Sequence, residues 1–300
     1  MSLKRVARRL NYKEKNLYYE IQSFGLCNQL FCLACGLANG SVAHKSVVIR
    51  GIYPDMTSLV CVHLDVFIDL EATNRNLVPI GTELLQCEKG VRFHHANMFA
   101  TSDTQRKLQE TCLQAIVFSQ TIREIALNSA PKEPFYALHF RLDVDAVLFY
   151  CAGVEVYQKW INLTNQNQEK EAREIVSSQI EIHKQWIINK ITQYADAILQ
   201  NCTQNKTPIY VLTAIGKKNI HLGQNDLVEW AFSEFEKKVA PHVLVRNSHQ
   251  LENQGREYFA AIELCIACLP HSIGFIASSG STFSETIKLR IGAQKLVCIV

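Results

Sequence analysis

The chain has 300 residues and a mass of 34.0 kDa, which fits one large domain or two domains of ordinary size. Hydrophobic residues make up 48% and charged residues 20%, a globular composition that excludes a disordered chain. The net charge is +3, but six cations lie in the first fifteen residues, so the remainder is slightly acidic and does not suggest a nucleic-acid-binding groove.

Short β-branched runs alternate with longer helical patterns, which is typical of an α/β protein with largely parallel sheets. The predicted strands cover residues 46–52, 135–142, 208–213, 242–246, 274–278 and 295–300. The predicted helices cover residues 28–38, 104–128, 168–200, 225–238, 256–267 and 281–290. Two prolines flank a charged pair in residues 129–134, which predicts a linker between an N-terminal domain, 1–130, and a C-terminal domain, 131–300.

No apolar segment of a signal peptide follows the N-terminal cations, and no apolar run approaches the roughly 18 residues of a membrane span. We therefore expect a cytoplasmic protein whose eleven cysteines are reduced. Two C-x-x-C pairs, Cys32 with Cys35 and Cys265 with Cys268, could supply a zinc site. Both pairs lie in apolar helical stretches without the residues that shape a zinc turn. The sequence therefore favours core thiols and predicts neither a metal nor a cofactor.

The first candidate motif is a turn at Gly25, followed by Asn28 and Gln29 at the predicted start of a helix. A helix N-terminus offers free N–H groups and a positive dipole end, which suit an anionic ligand. Asn28 also fits a plain N-cap, and the motif taken alone favours that interpretation.

The second motif follows the strand predicted at residues 135–142. Period-two alternation predicts that His139, Arg141, Asp143 and Asp145 share one face of the strand, with apolar residues on the other. Four ionisable groups at the end of a buried strand are costly unless they pair or function. A structural Arg–Asp pair is one interpretation. We favour an anion-binding arginine at the carboxyl end of a sheet, where α/β proteins bind their ligands.

The third motif is a strand, a turn of small residues and a helix start in residues 274–284. Ser279, Ser281 and Thr282 place hydroxyl groups where the helix N-terminus emerges, which predicts a phosphate-binding turn. The turn lacks both the lysine of a P-loop and the spacing of a Rossmann glycine motif. Two such turns and one arginine suggest a nucleotide diphosphate held by backbone amides and a cation.

In this order, the three motifs resemble those of the GDP-fucose O-fucosyltransferase superfamily, particularly its plant-type branch. That family has a Gly-rich Asn-Gln turn, a His-x-Arg-x-acid-x-Asp run, and an acidic residue on a late helix before a Ser/Thr-Phe turn. The matching positions are Gly25, Asn28, Gln29, His139, Arg141, Asp143, Asp145, Glu263, Ser281, Thr282 and Phe283.

The resemblance implies a GT-B architecture with two Rossmann-like domains facing across a cleft and the donor nucleotide on the C-terminal domain. It also implies that Arg141 binds the diphosphate and that Glu263 contacts the base or ribose. Residues 281–283 would line the donor site, and Asn28 would approach from the opposite domain.

The expected reaction transfers L-fucose from GDP-fucose to a hydroxyl of a glycan or protein. A fixed guanidinium such as Arg141 neutralises the leaving diphosphate, and a carboxylate deprotonates the acceptor. Asp143 is the expected base and Asp145 its orienting partner, although the sequence does not separate them. No carboxylate pair has metal-binding spacing, which favours a metal-independent, inverting displacement.

Other interpretations remain open. Another donor, such as UDP-xylose or a rhamnose nucleotide, fits as well, because no residue that selects the sugar is recognisable. A non-catalytic nucleotide-sugar-binding protein would keep the turn at Ser281 but needs no carboxylate beside Arg141. A kinase or phosphatase would need a P-loop or a nucleophile, and the sequence shows neither.

Overall fold

A computed structural model describes residues 15–21, 25–54, 60–87, 94–95, 100, 102–166, 168–202, 206–213, 224–246 and 255–300. The basic N-terminal residues 1–14 lie outside this set. The chain divides into two compact units between Ile125 and Ala126, whereas the sequence predicts a boundary between residues 130 and 131. Each unit is built around a parallel sheet, as expected of an α/β protein.

The described part of the N-terminal unit holds a four-stranded sheet. Its strands are β1 (Asn16–Glu20), β2 (Ser46–Ile49), β3 (Leu84–Gln86) and β4 (His94–His95), in the order β3-β2-β1-β4. Its helices are α1 (Leu26–Ala43), α2 (Leu64–Phe67), α3 (Leu70–Leu77) and α4 (Asp103–Ala115), with a 3-10 turn at Val78–Ile80, and α5 (Gln120–Ser129) crosses the boundary to the next unit. Strands β1, β2 and β3 follow one another toward one edge of the sheet, and β4 pairs with the other side of β1. The winding therefore reverses between β1 and β4.

The single helix predicted over residues 104–128 is wrong, because the structure has two helices there. Ile116 is extended, and Ile68 and Phe118 form an antiparallel β-bridge. Asp69 N donates to Val117 O, and Ser119 N donates to Phe67 O. The backbone of residues 116–119 therefore bonds to a neighbouring segment instead of continuing the helix.

Helix α1 forms the centre of the N-terminal unit. It has 18 residues, 72% of them buried, and it includes Cys32 and Cys35. By length and composition alone α1 could cross a membrane, so the expectation that no apolar run approaches that length is wrong. Buried core helices and signal sequences can have the same length and apolar composition. Gly40 permits its close approach to β2, since a Cβ there would lie 2.5 Å from Val47 Cγ2.

The described part of the C-terminal unit holds a five-stranded parallel sheet. Its strands are β5 (Phe135–His139), β6 (Ile209–Leu212), β7 (Leu244–Arg246), β8 (Ser272–Ala277) and β9 (Leu296–Ile299), in the order β7-β6-β5-β8-β9. The chain therefore builds outward from β5 to one edge, then returns to the other side. Doubly wound sheets of this kind bind ligands at the carboxyl ends of the strands where the winding reverses, here β5 and β8.

Helices cover this sheet, and one of them is unusually long. They are α6 (Val144–Val147), α7 (Val154–Asn165), α8 (Glu169–Asn201), α9 (Gln224–Val239), α10 (Arg256–Ala267) and α11 (Thr282–Ile291), with a π-helical turn at Leu148–Ala152 and a 3-10 turn at Ala293–Lys295. Helix α8 has 33 residues and buries Ile187, Ile191 and Ile198 in the core of the unit. Their helical spacing explains why the sequence predicts this helix well.

Candidate functional site

The reversal of winding in the C-terminal unit brings the second and third sequence motifs together. Strand β5 ends at His139 and β8 ends at Ala277, and the two strands pair in parallel with Leu138 opposite Ile276. The segments that follow therefore leave the same edge of the sheet. One runs through Arg141 to α6, and the other turns through Ser278–Ser281 into α11.

The prediction that four ionisable groups share one strand face is wrong. The strand ends at His139; Asp143 is the residue preceding α6, and Asp145 lies within α6. The apolar alternation continues through Phe140, Leu142 and Val144 because these residues are buried, although the backbone is no longer a strand. Helix α6 turns both carboxylates back toward Arg141.

Two guanidinium groups lie near the two carboxylates. Arg256, at the start of α10, places Nη2 at 3.1 Å from Asp143 Oδ2 and 3.5 Å from both oxygens of Asp145. Arg141 lies farther from both carboxylates, with Nη1 4.0 Å from Asp143 Oδ2 and Nη2 3.9 Å from Asp145 Oδ2. The side chain of Arg141 is 25% exposed and that of Arg256 is 8% exposed, so Arg141 is the cation that faces solvent.

Burial raises the pKa of Asp143 to about 7, and the neighbouring charge of Asp145 acts in the same direction. The charges of Arg141 and Arg256 oppose this rise. Asp143 Oδ1 is buried and has no hydrogen-bond partner among the described residues. Asp143 therefore holds a proton more readily than an ordinary aspartate does.

A chain of hydrogen bonds joins the ends of β5 and β8 to α11. His139 Nδ1 lies 2.8 Å from Ser284 Oγ, which accepts a bond from Ser278 N at 2.8 Å. Ser278 Oγ donates to His139 O at 2.6 Å. Burial, with a contribution from Arg141, lowers the pKa of His139 well below its usual value, so its ring is neutral. Phe283 packs on that ring at 4.8 Å between centroids.

Helix α8 is joined to the same network through Tyr194. The Tyr194 hydroxyl lies 2.5 Å from Ser278 Oγ and accepts a bond from Arg141 N at 3.2 Å. This contact fixes the backbone of Arg141 against α8. His139, Ser278 and Tyr194 thus hold the turn in place, and Arg141 is the group they position.

The turn between β8 and α11 has the geometry of a helix start. Ser281 is its N-cap, and Ser281 Oγ accepts from Ser284 N at 3.4 Å. Gly280 has φ +66°, a left-handed conformation, and a Cβ there would lie 3.3 Å from Tyr150 Oη. Tyr150 donates to Gly280 O at 3.0 Å, and Ser279 N donates to Val300 O at 2.7 Å. Thr282 and Phe283 begin α11, whose first N–H groups lack intrahelical acceptors.

A cavity of about 290 Å³ opens at this edge of the sheet. Arg141 and Ser279, which the sequence predicts as binding residues, line it together with residues from the π-helical turn and from α8. The residues that line it are Arg141, Tyr150, Trp186, Lys190, Tyr194, Ser278, Ser279, Gly280 and Val300. The cavity therefore combines two cations, three aromatic rings and the turn that opens α11.

Glu263, the predicted base or ribose contact, lies elsewhere. Its side chain belongs to α10 and is 2% exposed, and its Oε1 accepts from Thr213 N at 3.2 Å. Glu263 thus bonds to the backbone just beyond β6, and it is not part of the wall of the cavity described above. Its carboxylate nevertheless lies at the same carboxyl edge of the sheet.

The first motif lies in the N-terminal unit, at the start of α1. Gly25 is the N-cap residue and Asn28 lies in the first turn, so the interpretation of Asn28 as a plain N-cap is wrong. Gln29 is fully buried and bonds twice to Tyr53, donating to its carbonyl at 3.0 Å and accepting from its N–H at 2.8 Å. Asn28 Oδ1 is buried, and no described residue bonds to it.

The cysteines of the two C-x-x-C pairs differ in burial. Cys32 and Cys35 are buried in α1, and burial raises the pKa of each to about 11. Cys265 and Cys268 lie at the end of α10 and are partly buried. Within the described ranges, no group of three or more His, Cys, Asp or Glu residues could hold a metal ion.

Sequence signals for the remaining site residues are weak. Arg256 opens an apolar helix without a motif, and Lys190 has the same sequence surroundings as a solvent-facing lysine of an amphipathic helix. Tyr194 fits the apolar spacing of α8, so its sequence position indicates only burial. These residues are recognised as part of the site from the three-dimensional contacts alone.

No family model and no curated protein matches the sequence. Solved structures do match. A crystal structure of POFUT1 in complex with GDP aligns with 95% of this chain and 98% of its own, at 11% identity and a TM-score of 0.55. A POFUT1 complex with GDP-fucose aligns with 95% of this chain and 97% of its own, at 11% identity and a TM-score of 0.56.

These matches define the class of the fold. The chain has a GT-B-like α/β fold built from two Rossmann-like units, the architecture that the sequence motifs imply. Within that class, it has an O-fucosyltransferase-like fold. At 11% identity the likeness concerns the fold, so activity must be argued from the site.

Proposed function

We propose that this protein is a glycosyltransferase that transfers L-fucose from GDP-fucose to a hydroxyl group of a glycan or protein. The observation that carries the proposal is Arg141, a partly exposed guanidinium beside a buried carboxylate pair, at the cavity where the sheet reverses its winding. The O-fucosyltransferase-like fold supports it, since the similar POFUT1 structures contain GDP and GDP-fucose.

Arg141 is suited to the diphosphate because its charge is not fully cancelled. Arg256 makes the shorter contacts with Asp143 and Asp145, whereas Arg141 lies 3.9 Å or more from both. A guanidinium binds phosphate oxygens in a bidentate manner. The N–H groups at the start of α11 add positive potential on the adjacent side of the cavity.

Asp143 is suited to the role of general base. A base works best when its pKa is near the working pH, and burial raises the pKa of Asp143 to about 7. Its Oδ2 is held by Arg256, which leaves Oδ1 to take a proton. Asp145 shares Arg256 with Asp143, so we assign it an orienting role.

In the proposed displacement, the acceptor oxygen forms a bond to the anomeric carbon while the bond from that carbon to the β-phosphate oxygen breaks. The acceptor proton passes to Asp143, and the bonding electrons leave with GDP. Arg141 stabilises the added charge of the leaving group, so we propose that transfer is metal-independent. Attack opposite to the leaving group inverts the anomeric configuration.

A non-catalytic nucleotide-sugar-binding protein is the second candidate. The observation in its favour is the burial of both carboxylates, whose side chains are 6% and 10% exposed and bonded to Arg256. Such a buried Arg–Asp cluster is also found as a structural element. Glu263 is the residue expected to contact the base or ribose, and it bonds to Thr213 N, so UDP-xylose and a rhamnose nucleotide belong in the test as competing donors.

The test combines donor binding with turnover. Purified protein is incubated with GDP-fucose, UDP-xylose or a rhamnose nucleotide, with and without a chelator, and release of the nucleoside diphosphate is measured. We expect release from GDP-fucose that persists with the chelator and is lost in Arg141→Ala. The control is Arg75→Ala, which removes an exposed arginine paired with Glu71 on α3.

The outcomes separate the two candidates. Donor binding without release under any condition, with or without glycan and peptide acceptors, supports the non-catalytic protein. Failure of every nucleotide sugar to bind overturns both candidates.

A further inference from the structure

Helix α8 contributes one face to the cavity. Trp186, Lys190 and Tyr194 are four residues apart, so they lie one above another on the same side of the helix. All three line the cavity together with the turn at Ser278–Gly280. The sequence suggests one cation at the diphosphate, whereas the structure places a second one, Lys190, in the same cavity as Arg141.

Lys190 is distinguished from other lysines by its surroundings. It is half-buried, and no carboxylate of the described residues pairs with it. Three other helical lysines have acidic partners on their own helices: Lys184 with Glu181, Lys237 with Glu234, and Lys288 with Glu285. A half-buried cation without a partner, facing a cavity, is best stabilised by an anionic ligand.

The charge of the cavity wall indicates what that ligand is. Its charged side chains are those of Arg141 and Lys190, and no Asp or Glu side chain is among its lining residues. Two cations facing one concave space favour a ligand that carries two or more negative charges close together. The volume of about 290 Å³ suits a compact anionic group with part of a larger molecule attached.

We propose that Lys190 is the second cation of the diphosphate site and that it makes the cavity prefer a nucleoside diphosphate to a monophosphate. This inference rests on the proposed function, in which the cavity receives a nucleotide sugar. The two cations differ in kind, since Arg141 binds through a planar fork and Lys190 acts as a point charge. Trp186, one turn away, gives the cavity an apolar face that a sugar ring can cover.

The test measures binding of GDP, GMP and inorganic pyrophosphate by calorimetry to the full chain. The variants are Lys190→Met and, as a matched control, Lys184→Met, which removes an exposed lysine from the same helix. We expect Lys190→Met to lower the affinity for GDP and for pyrophosphate by about 10- to 100-fold, the loss typical of one charge-assisted hydrogen bond. The affinity for GMP should fall much less. Lys184→Met should change none of the three. Lys190→Arg should restore most of the affinity for GDP.

The outcomes distinguish this inference from the proposed function. If the unmodified protein prefers GDP to GMP and Lys190→Met keeps that preference, the role of Lys190 is overturned while the donor assignment stands. If pyrophosphate binds in a Lys190-dependent manner but no nucleotide does, the anion site stands and the donor assignment fails. If neither GDP nor pyrophosphate binds, both are overturned.

Discussion

Arg256 Nη2 lies 3.1 Å from Asp143 Oδ2, although 113 positions separate the two residues in the sequence. The contact joins the start of α10 to the start of α6, and it also reaches Asp145. Arg256 therefore supplies buried positive charge to a carboxylate pair that also lies near Arg141. We assign Arg256 as a positioning residue, since it acts on the proposed reaction through Asp143.

Replacing Arg256 should affect both stability and the proton affinity of Asp143. We expect Arg256→Met to lower the free energy of unfolding by about 3–5 kcal/mol, because it leaves buried carboxylates without their nearest cation. It should also raise the pKa of Asp143 further, since the charge of Arg256 lowers that pKa. Urea unfolding and the pH dependence of turnover measure the two effects. Arg256→Lys should rescue part of both, and an unchanged pH profile would contradict the positioning role.

Replacing Arg141 tests the diphosphate assignment directly. We expect Arg141→Ala to abolish turnover and to weaken GDP binding by about 2–5 kcal/mol, since the partner charge of the phosphate is lost. Arg141→Lys should recover little, because it lacks the bidentate fork. Calorimetry with GDP and steady-state kinetics measure these effects. Normal turnover of Arg141→Ala would contradict the assignment of Arg141 to the diphosphate.

The raised pKa of Asp143 predicts a specific pH dependence. If Asp143 is the base, turnover should rise as pH increases through about 7, because only the deprotonated form accepts a proton. Asp143→Asn should lose turnover at every pH. A rate that is independent of pH across this range would exclude Asp143 as the base.

The same pKa predicts the effect of Asp143 on stability. A carboxyl group with a pKa raised in the folded state keeps its proton where the unfolded chain has released it. The contribution of Asp143 should therefore decrease as pH rises from about 4 to about 7. Burial lowers the pKa of His139, which acts in the opposite direction, so the comparison is with Asp143→Asn. The unfolding free energy of that variant should lose this downward trend.

Tyr194 offers a test of the hydrogen-bond network. We expect Tyr194→Phe to cost about 1–2 kcal/mol of stability and to reduce turnover, because its hydroxyl bonds to Ser278 Oγ and holds Arg141 N. The control is Tyr136→Phe, since the Tyr136 hydroxyl forms no hydrogen bond with any described residue. Thermal unfolding and kinetics measure both variants. If Tyr194→Phe and Tyr136→Phe changed stability and turnover equally, the hydroxyl of Tyr194 would have no specific role in the network.

Gly280 offers a test of the turn itself. We expect Gly280→Ala to lower the free energy of unfolding by about 1–2 kcal/mol, because the φ of Gly280 is +66°. It should also weaken the binding of GDP, since the new Cβ approaches Tyr150 in the cavity wall. The control is Gly81→Ala, at φ +78° in the N-terminal unit with open space around its Cβ. It should cost similar stability without changing GDP binding. GDP affinity unchanged in both variants would exclude this turn from the donor site.

The sequence predicts much of the C-terminal unit and less of the N-terminal one. Helix α10 has the predicted bounds, and α8 and β9 differ from prediction by one residue at each end, because long periodic or apolar runs specify them locally. Strands β1 and β3 were not predicted, since both are short and half-buried and are defined by pairing with β2. Long-range pairing of this kind has no local signal.

The site is likewise predicted only where its residues are close in sequence. The turn at Ser281 and the run from His139 to Asp145 are local patterns, and a sequence shows them. Arg256 and Lys190 reach the site from α10 and α8, so only the packing of those helices reveals them. The alternation past His139 was misleading because burial, and not strand geometry, continues it.

The continuity of α8 has a consequence for how this cavity can change. Trp186 and Tyr194 are separated by about 12 Å along one helix axis, a spacing fixed by the helical rise. Ile187 and Ile191, which directly follow Trp186 and Lys190 in the same helix, are fully buried in the core. Inserting or deleting a single residue between Trp186 and Tyr194 would rotate one part of the helix by about 100° relative to the other. One of the two aromatic side chains would then leave the cavity, and buried isoleucine would become exposed. Ligand preference at this wall can therefore diversify through side-chain exchange, but hardly through changes in chain length.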